Sequence, residues 1–154
     1  LAGAAALVCR HAFSQVVGAG RPDEADWAQI REFAGKVAEK LSAGETMPLL
    51  DIDRSEIGPY YTPLKVDGTP ARFLKAKPQT DQDKCTHCGL CVRACPMGSI
   101  DESTMEAAGV CIKCQACVRR CPQGAKYFTD GDFLSHVAML EQNYSKQAEN
   151  TWFV

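Results

Sequence analysis

Residues 85–96 read CTHCGLCVRACP, and residues 111–122 read CIKCQACVRRCP. Both stretches have the spacing C-x2-C-x2-C-x3-C-P, and the second copy begins 26 residues after the first. The cysteine positions repeat strictly while the residues between them are free to vary. Such a pattern places the geometric constraint on the sulfurs.

Three thiolates separated by two residues each can wrap one inorganic core, because the short loops let them converge. A fourth must then arrive from elsewhere. Cys95 and Cys121, each four residues after the third cysteine of its run and each followed by proline, are the candidates that point away. Pro96 and Pro122 lack an amide hydrogen and hold the preceding residue in extended geometry, which redirects the chain there. This run is the bacterial iron–sulfur pattern, in which the fourth cysteine serves the other cluster. On that pattern one [4Fe–4S] cluster takes Cys85, Cys88, Cys91 and Cys121, and the other takes Cys111, Cys114, Cys117 and Cys95. Small residues at Gly89, Ala94 and Ala116 allow close passage of the chain, and Gly98 and Gly124 fall where it must turn. Ile100 and Tyr127 or Phe128 supply apolar cover, which tunes the reduction potential.

Zinc is the competing metal. Structural zinc, however, takes two separated C-x2-C pairs with about 12–20 residues between them. Here four cysteines fall within eleven positions, twice. Cys9 lies outside both runs and reads as a small buried hydrophobe. His11, His87 and His136 show no ligand spacing to one another. Lys84, Arg93, Lys113, Arg119, Arg120 and Lys126 surround the runs and read as a solvated face balancing anionic clusters, with an acidic partner as the alternative.

Outward from the cysteines, residues 1–9 form an apolar run of strand length, read as a buried parallel strand. Residues 10–22, RHAFSQVVGAGRP, read as a loop. Trp27, Ile30, Ala34, Val37 and Leu41 then step by three and four residues, which predicts a helix with that stripe facing a core. Asp23, Glu24 and Asp26 suit its positive end and Lys36 and Lys40 its negative end, with Pro22 opening it and Gly44 closing it. Pro48, Pro59, Pro63, Pro70 and Pro78, with Gly58 and Gly68, make residues 45–80 an extended arm. Leu49, Leu50, Ile52, Ile57, Leu64, Phe73 and Leu74 offer it anchors, and Tyr60, Tyr61 and Val66 allow one edge strand. After residue 130, Phe133, Val137, Leu140 and Tyr144 share a helical face with Asp132 as its N-cap. The closing TWFV is apolar enough to dock.

The whole chain has 154 residues, nine cysteines, 17 basic and 19 acidic residues. A net charge of −2 leaves no basic footprint for nucleic acid. The apolar residues 1–9 fall far short of the ~20 needed to span a membrane, and no basic stretch precedes them, so no membrane insertion is expected. Nine cysteines without a secretory signal read as metal ligands in a reducing, cytoplasmic compartment rather than as disulfides.

Residues 85–122, with flanks to about Thr129, resemble a bacterial-type ferredoxin domain carrying two [4Fe–4S] clusters. The resemblance implies an α+β fold of two pseudo-symmetric halves, each with a β-hairpin and a short helix, and one-electron transfer at low potential. Residues 1–44 resemble the last strand, loop and helix of a flavodoxin-like domain. The stretch RHAFS…GRPDEAD (10–26) is similar to one that precedes a proline-rich arm and a ferredoxin in flavodoxin–ferredoxin fusion proteins. The expected organisation is a flavodoxin-like βα remnant over 1–44, the arm over 45–80, the dicluster ferredoxin-like domain over 81–130, and a C-terminal helix and tail over 131–154. An opening Leu1 in place of Met fits the C-terminal portion of such a fusion. The flavin phosphate loop of that family belongs to its first strand–helix turn, so FMN is expected only with a missing N-terminal part. The resemblance implies an electron carrier rather than a catalyst by itself, with a redox partner protein or a flavin domain as its partner. The alternatives are the iron–sulfur portion of a flavin-dependent oxidoreductase, or clusters that only staple a scaffold.

Overall fold

A computed structural model describes residues 2–44 and 58–154. The elements in chain order are β1 (Ala4–Ala6), α1 (Glu24–Ser42), β2 (Gln79–Thr80), α2 (Leu90–Ala94), α3 (Ala116–Arg120), β3 (Lys126–Tyr127), α4 (Gly131–Tyr144) and β4 (Thr151–Phe153). They fall into two compact units. The first comprises Leu1–His11, Gln15–Tyr61 and Tyr144–Val154, and the second Ala12–Ser14 and Thr62–Asn143.

In the first unit, α1 starts at a capping box. The Asp23 carboxylate accepts from the Asp26 amide at 2.9 Å, and the Asp26 carboxylate accepts from the Asp23 amide at 2.7 Å. These bonds satisfy two amides that the first turn would otherwise leave unpaired. Asp26 is buried and also accepts from the Arg21 guanidinium and from Asn150 Nδ2 at 2.7 Å. Asn150 in turn accepts from the Val8 amide at 2.7 Å. The Arg21 charge holds the Asp26 carboxyl well below the usual carboxylate range, against the opposing effect of burial.

Residues 4–6 do form a strand, but the pairing is antiparallel, with Ala4 opposite Phe153, Ala5 opposite Trp152 and Ala6 opposite Thr151. This corrects the parallel, buried strand expected from composition. Ala5 and Ala6 are exposed. Residues 151–153 of TWFV therefore dock as β4, and Trp152 lies 6.5 Å from Phe33 between ring centroids. The covered face of α1 is also turned from the expected stripe. Asp26 is buried and Ile30, Phe33 and Val37 are half-buried, whereas Ala34 is exposed, as are Trp27 at 45% and Leu41 at 55%. The pinned Asp26 and the approach of β1 set this rotation. A Cβ on Gly3 would meet Val37 Cγ2 at 2.9 Å and Phe33 Cε2 at 3.1 Å.

The second unit holds both cysteine runs together with residues 62–80 and most of α4. Pro48, Leu49, Leu50, Ile52 and Ile57 lie outside the described residues. Within residues 58–80, an edge strand expected at Tyr60, Tyr61 and Val66 is replaced by a tight hairpin. It is closed by the Ala71 amide to the Pro63 carbonyl and the Lys65 amide to the Thr69 carbonyl, both at 2.8 Å. Phe73 is an anchor, but Leu74 is 92% exposed. Phe13, Phe73, Phe128 and His136 gather round Phe133, with Phe128 at 4.5 Å and Phe13 at 5.1 Å between ring centroids. Asp130, not Asp132, caps α4. Its Oδ1 accepts from the Phe133 amide at 2.9 Å and its carbonyl from the Leu134 amide at 3.0 Å. Asp132 lies in the first turn and accepts from the Arg72 amide at 2.7 Å. On that helix Phe133 and Leu140 are buried as expected and Val137 is half-buried, while Tyr144 is exposed and His136 and Met139 join the covered face.

Candidate metal centre

The two cysteine runs fold alike, residue for residue, at the 26-residue offset. α2 and α3 have five residues each, preceded by Gly89 at φ +72° and Gln115 at φ +62°. His87 and Lys113 also have positive φ, as do Gly98 and Gly124. Cys95 at φ −77°, ψ 111° matches Cys121 at φ −76°, ψ 110°. After each of them the chain turns back. The Gly98 amide bonds the Cys95 carbonyl and the Gly124 amide the Cys121 carbonyl, both at 3.2 Å. Left-handed backbone is costly for residues with a Cβ, which is why glycine serves at this turn. The same turn aims an amide at each fourth sulfur, Ser99 N at 3.4 Å from Cys95 Sγ and Ala125 N at 3.2 Å from Cys121 Sγ. A third amide, from Lys113, points at Cys111 Sγ at 3.4 Å.

The halves are tied by pairing across the repeat. Thr80 in β2 stands opposite Lys126 in β3, and Ile100 bridges to Ala107. Asp81 opens the turn that delivers the first cysteine, because its carbonyl accepts from the Cys85 amide at 3.0 Å. A matching turn at Asp101 accepts from the Met105 amide at 2.8 Å. The Ser103 hydroxyl and the Thr104 amide hold the Asp101 carboxyl down at about 2.

These elements leave two cavities. One, with about 340 Å³ of space including open solvent, is lined by Cys85, Cys88, Cys91 and Cys121 together with Thr80, Met105 and Lys126. The other, of about 400 Å³ on the same measure, is lined by Cys95, Cys111, Cys114 and Cys117 together with Ile100 and Phe128. Each cavity thus draws three cysteines from one run and the fourth from the other. Cys91, Ile100 and Met105 are the buried core beside them, with Cys85, Val92, Cys95 and Cys117 packed against it. Burial pushes the Cys117 thiol up to about 11, aided by Cys111 and Cys114 and opposed by Lys126. Cys88 and Cys114, which occupy equivalent positions, are exposed. All nine cysteines are free thiols, and Cys9 is exposed in the other unit, which corrects its reading as a buried hydrophobe. His87 is exposed, and His136 packs among the aromatic rings.

The sulfurs, their spacing and the amides aimed at them fit a polynuclear iron–sulfur group. Among the described residues, no three Cys, His, Asp or Glu side chains converge on a point that one metal ion could occupy. A tetrahedral zinc site needs four thiolates about 2.3 Å from one such point.

Two residues read as solvated cations are corrected. Lys126 is 3% and Lys113 8% exposed, and each lines one cavity. Lys84, Arg93, Arg119 and Arg120 are exposed as expected. Thr80, Met105 and Gln115 are further lining residues that cysteine spacing did not signal. The positions 26 residues apart, compared pairwise, carry the one available clue, since Lys126 stands where the first half has the apolar Ile100.

No described helix is long and apolar enough to cross a membrane. Residues 78–101 match a family model for a 4Fe–4S binding domain, and residues 111–125 match a second family model of the same description. No curated protein and no solved structure matches the chain. The two matches fall on the two cysteine runs, and the chain carries a ferredoxin-like iron–sulfur domain there.

Proposed function

We propose that this chain transfers single electrons through two [4Fe–4S] clusters, one on Cys85, Cys88, Cys91 and Cys121 and the other on Cys111, Cys114, Cys117 and Cys95. The observation that carries the reading is the ring of four sulfurs round each of two cavities, three from one run and one from the other. When bound, each cluster takes up and gives back one electron. The chain's own residues supply the surroundings. Amides of Ser99, Lys113 and Ala125 stabilise thiolate charge, Ile100, Met105 and Phe128 keep water from the sulfurs, and exposed Cys88 and Cys114 offer the routes to a partner. A reducing, cytoplasmic compartment suits nine unpaired thiols. Anaerobic reconstitution with iron and sulfide is expected to give about eight irons per chain and the EPR signals of reduced cubanes. A colourless product holding zinc would overturn the reading.

The finer proposal makes this the ferredoxin part of a flavodoxin–ferredoxin type protein, with a flavin domain as its redox partner. It rests on the resemblance of residues 1–44 to the end of a flavodoxin-like domain. The test is reoxidation of a reduced flavodoxin by the reconstituted chain, followed by flavin absorbance in stopped flow. Transfer no faster than to an unrelated protein of similar size and charge would count against it.

A further inference from the structure

Lys126 is buried and lines the cavity of Cys85, Cys88, Cys91 and Cys121. Its Nζ donates to Thr80 Oγ1 at 2.6 Å and to the Met105 carbonyl, and Thr80 Oγ1 also donates to that carbonyl at 2.8 Å. All of these acceptors are neutral. Among the described residues, no carboxylate forms an ion pair with Lys126. An ammonium taken out of water without a counter-charge is strongly disfavoured. The fold nevertheless holds it in place. Thr80 and Lys126 are register partners in the β2–β3 pair, and Met105 adopts φ +60°, with its carbonyl bonded to both side chains. The equivalent position in the other half is the apolar Ile100, which lines the second cavity. Lys113 lines that second cavity and its Nζ also has neutral acceptors, the carbonyls of Leu74 at 2.7 Å and Cys111 at 3.2 Å.

We propose that Lys126 is a positioning residue whose ammonium is the counter-charge for the cluster on Cys85, Cys88, Cys91 and Cys121, and that it raises that cluster's reduction potential above the value an apolar residue would give. The inference rests on the two-cluster reading. A cubane held by four thiolates is a net anion in both redox states and is more negative when reduced. A fixed positive charge in a poorly solvated cavity therefore favours the reduced state. Reduction adds one electron, supplied by dithionite in the test. No bond forms or breaks.

The experiment is an EPR-monitored redox titration of the reconstituted full chain, as wild type, Lys126→Met and Lys126→Arg. The cluster concerned is identified by the signal that Cys88→Ser perturbs. In Lys126→Met, that cluster is expected to become harder to reduce by about tenfold, which is about 59 mV for one electron. Lys126→Arg should stay near wild type. If Lys126→Met loses that cluster's iron while Lys126→Arg keeps it, the counter-charge role is also supported. Loss of iron in both variants would overturn it in favour of a purely steric role. Two intact clusters with unchanged potentials in Lys126→Met would overturn this proposal alone. A wild type without cubane signals would overturn the two-cluster reading along with it.

Discussion

Cys121 is the residue at which the ring of sulfurs is tested most sharply. It belongs to the run of Cys111, Cys114 and Cys117, yet it lines the cavity of Cys85, Cys88 and Cys91. Cys121→Ser and Cys85→Ser are therefore expected to perturb the same EPR signal and to remove about half the iron, while Cys95→Ser perturbs the other signal. Pairing of the Cys121 and Cys117 variants on one signal would contradict the crossed assignment. Gly124 gives a second test, because it sits at φ +60° with nothing within 4 Å of a built Cβ. Gly124→Ala should then cost about 1–2 kcal/mol, the backbone penalty alone, in denaturant unfolding of the reconstituted chain. At this scale cysteine spacing was fully legible in the sequence, and the turns at Gly98 and Gly124 were as well. Burial of Lys113 and Lys126 was not, because a lysine reads as solvated until its neighbours are known.

Among the elements, α1 shows how a local pattern and a tertiary pin divide the decision. The acidic first turn and the position of Gly44 after the last turn were readable from residue order. The face was not, because Asp26 is fixed by Arg21 and by Asn150, which is distant in sequence. The Asp26 carboxyl is lowered, so its contribution to stability is complete above the ordinary carboxylate range near about pH 4. That contribution is lost as pH falls below this range. Both tryptophans, Trp27 and Trp152, lie in the first unit, so their fluorescence reports its unfolding. The wild type is expected to lose stability steeply between about pH 4 and pH 2. Asp26→Asn should be less stable at neutral pH and nearly flat over the same interval, and equal acid sensitivity in both proteins would refute the role of the pair. For α4, the cap expected at Asp132 falls instead at Asp130, whose Oδ1 accepts from the Phe133 amide.

For the whole molecule, the cysteine-bearing part of the second unit has little besides sulfur to hold it together. α2 and α3 have five residues each, and β2 and β3 two each. Helices that short are not stable alone in water. The buried core between them is Cys91, Ile100 and Met105. Cluster binding should therefore contribute directly to folding. Stripping iron with an anaerobic chelator is expected to abolish amide hydrogen-exchange protection in α2 and α3 while leaving that of α4, which packs on the aromatic cluster. Protection of α2 and α3 that survives in the apo chain would show that the peptide holds its shape unaided.

Residue order alone determined what depends on neighbours a few positions away: two copies of one sulfur-spacing unit, the turns after each Cys-Pro, and the existence of α1 and α4. Such features follow from φ/ψ preference, side-chain periodicity and the reach of short loops. Tertiary structure alone decided the antiparallel partner of residues 4–6, the covered face of α1, and the burial of Lys126 opposite Thr80. Each of these joins segments dozens of residues apart, where chain geometry sets no preference and the choice falls to packing and to the pairing of buried polar groups.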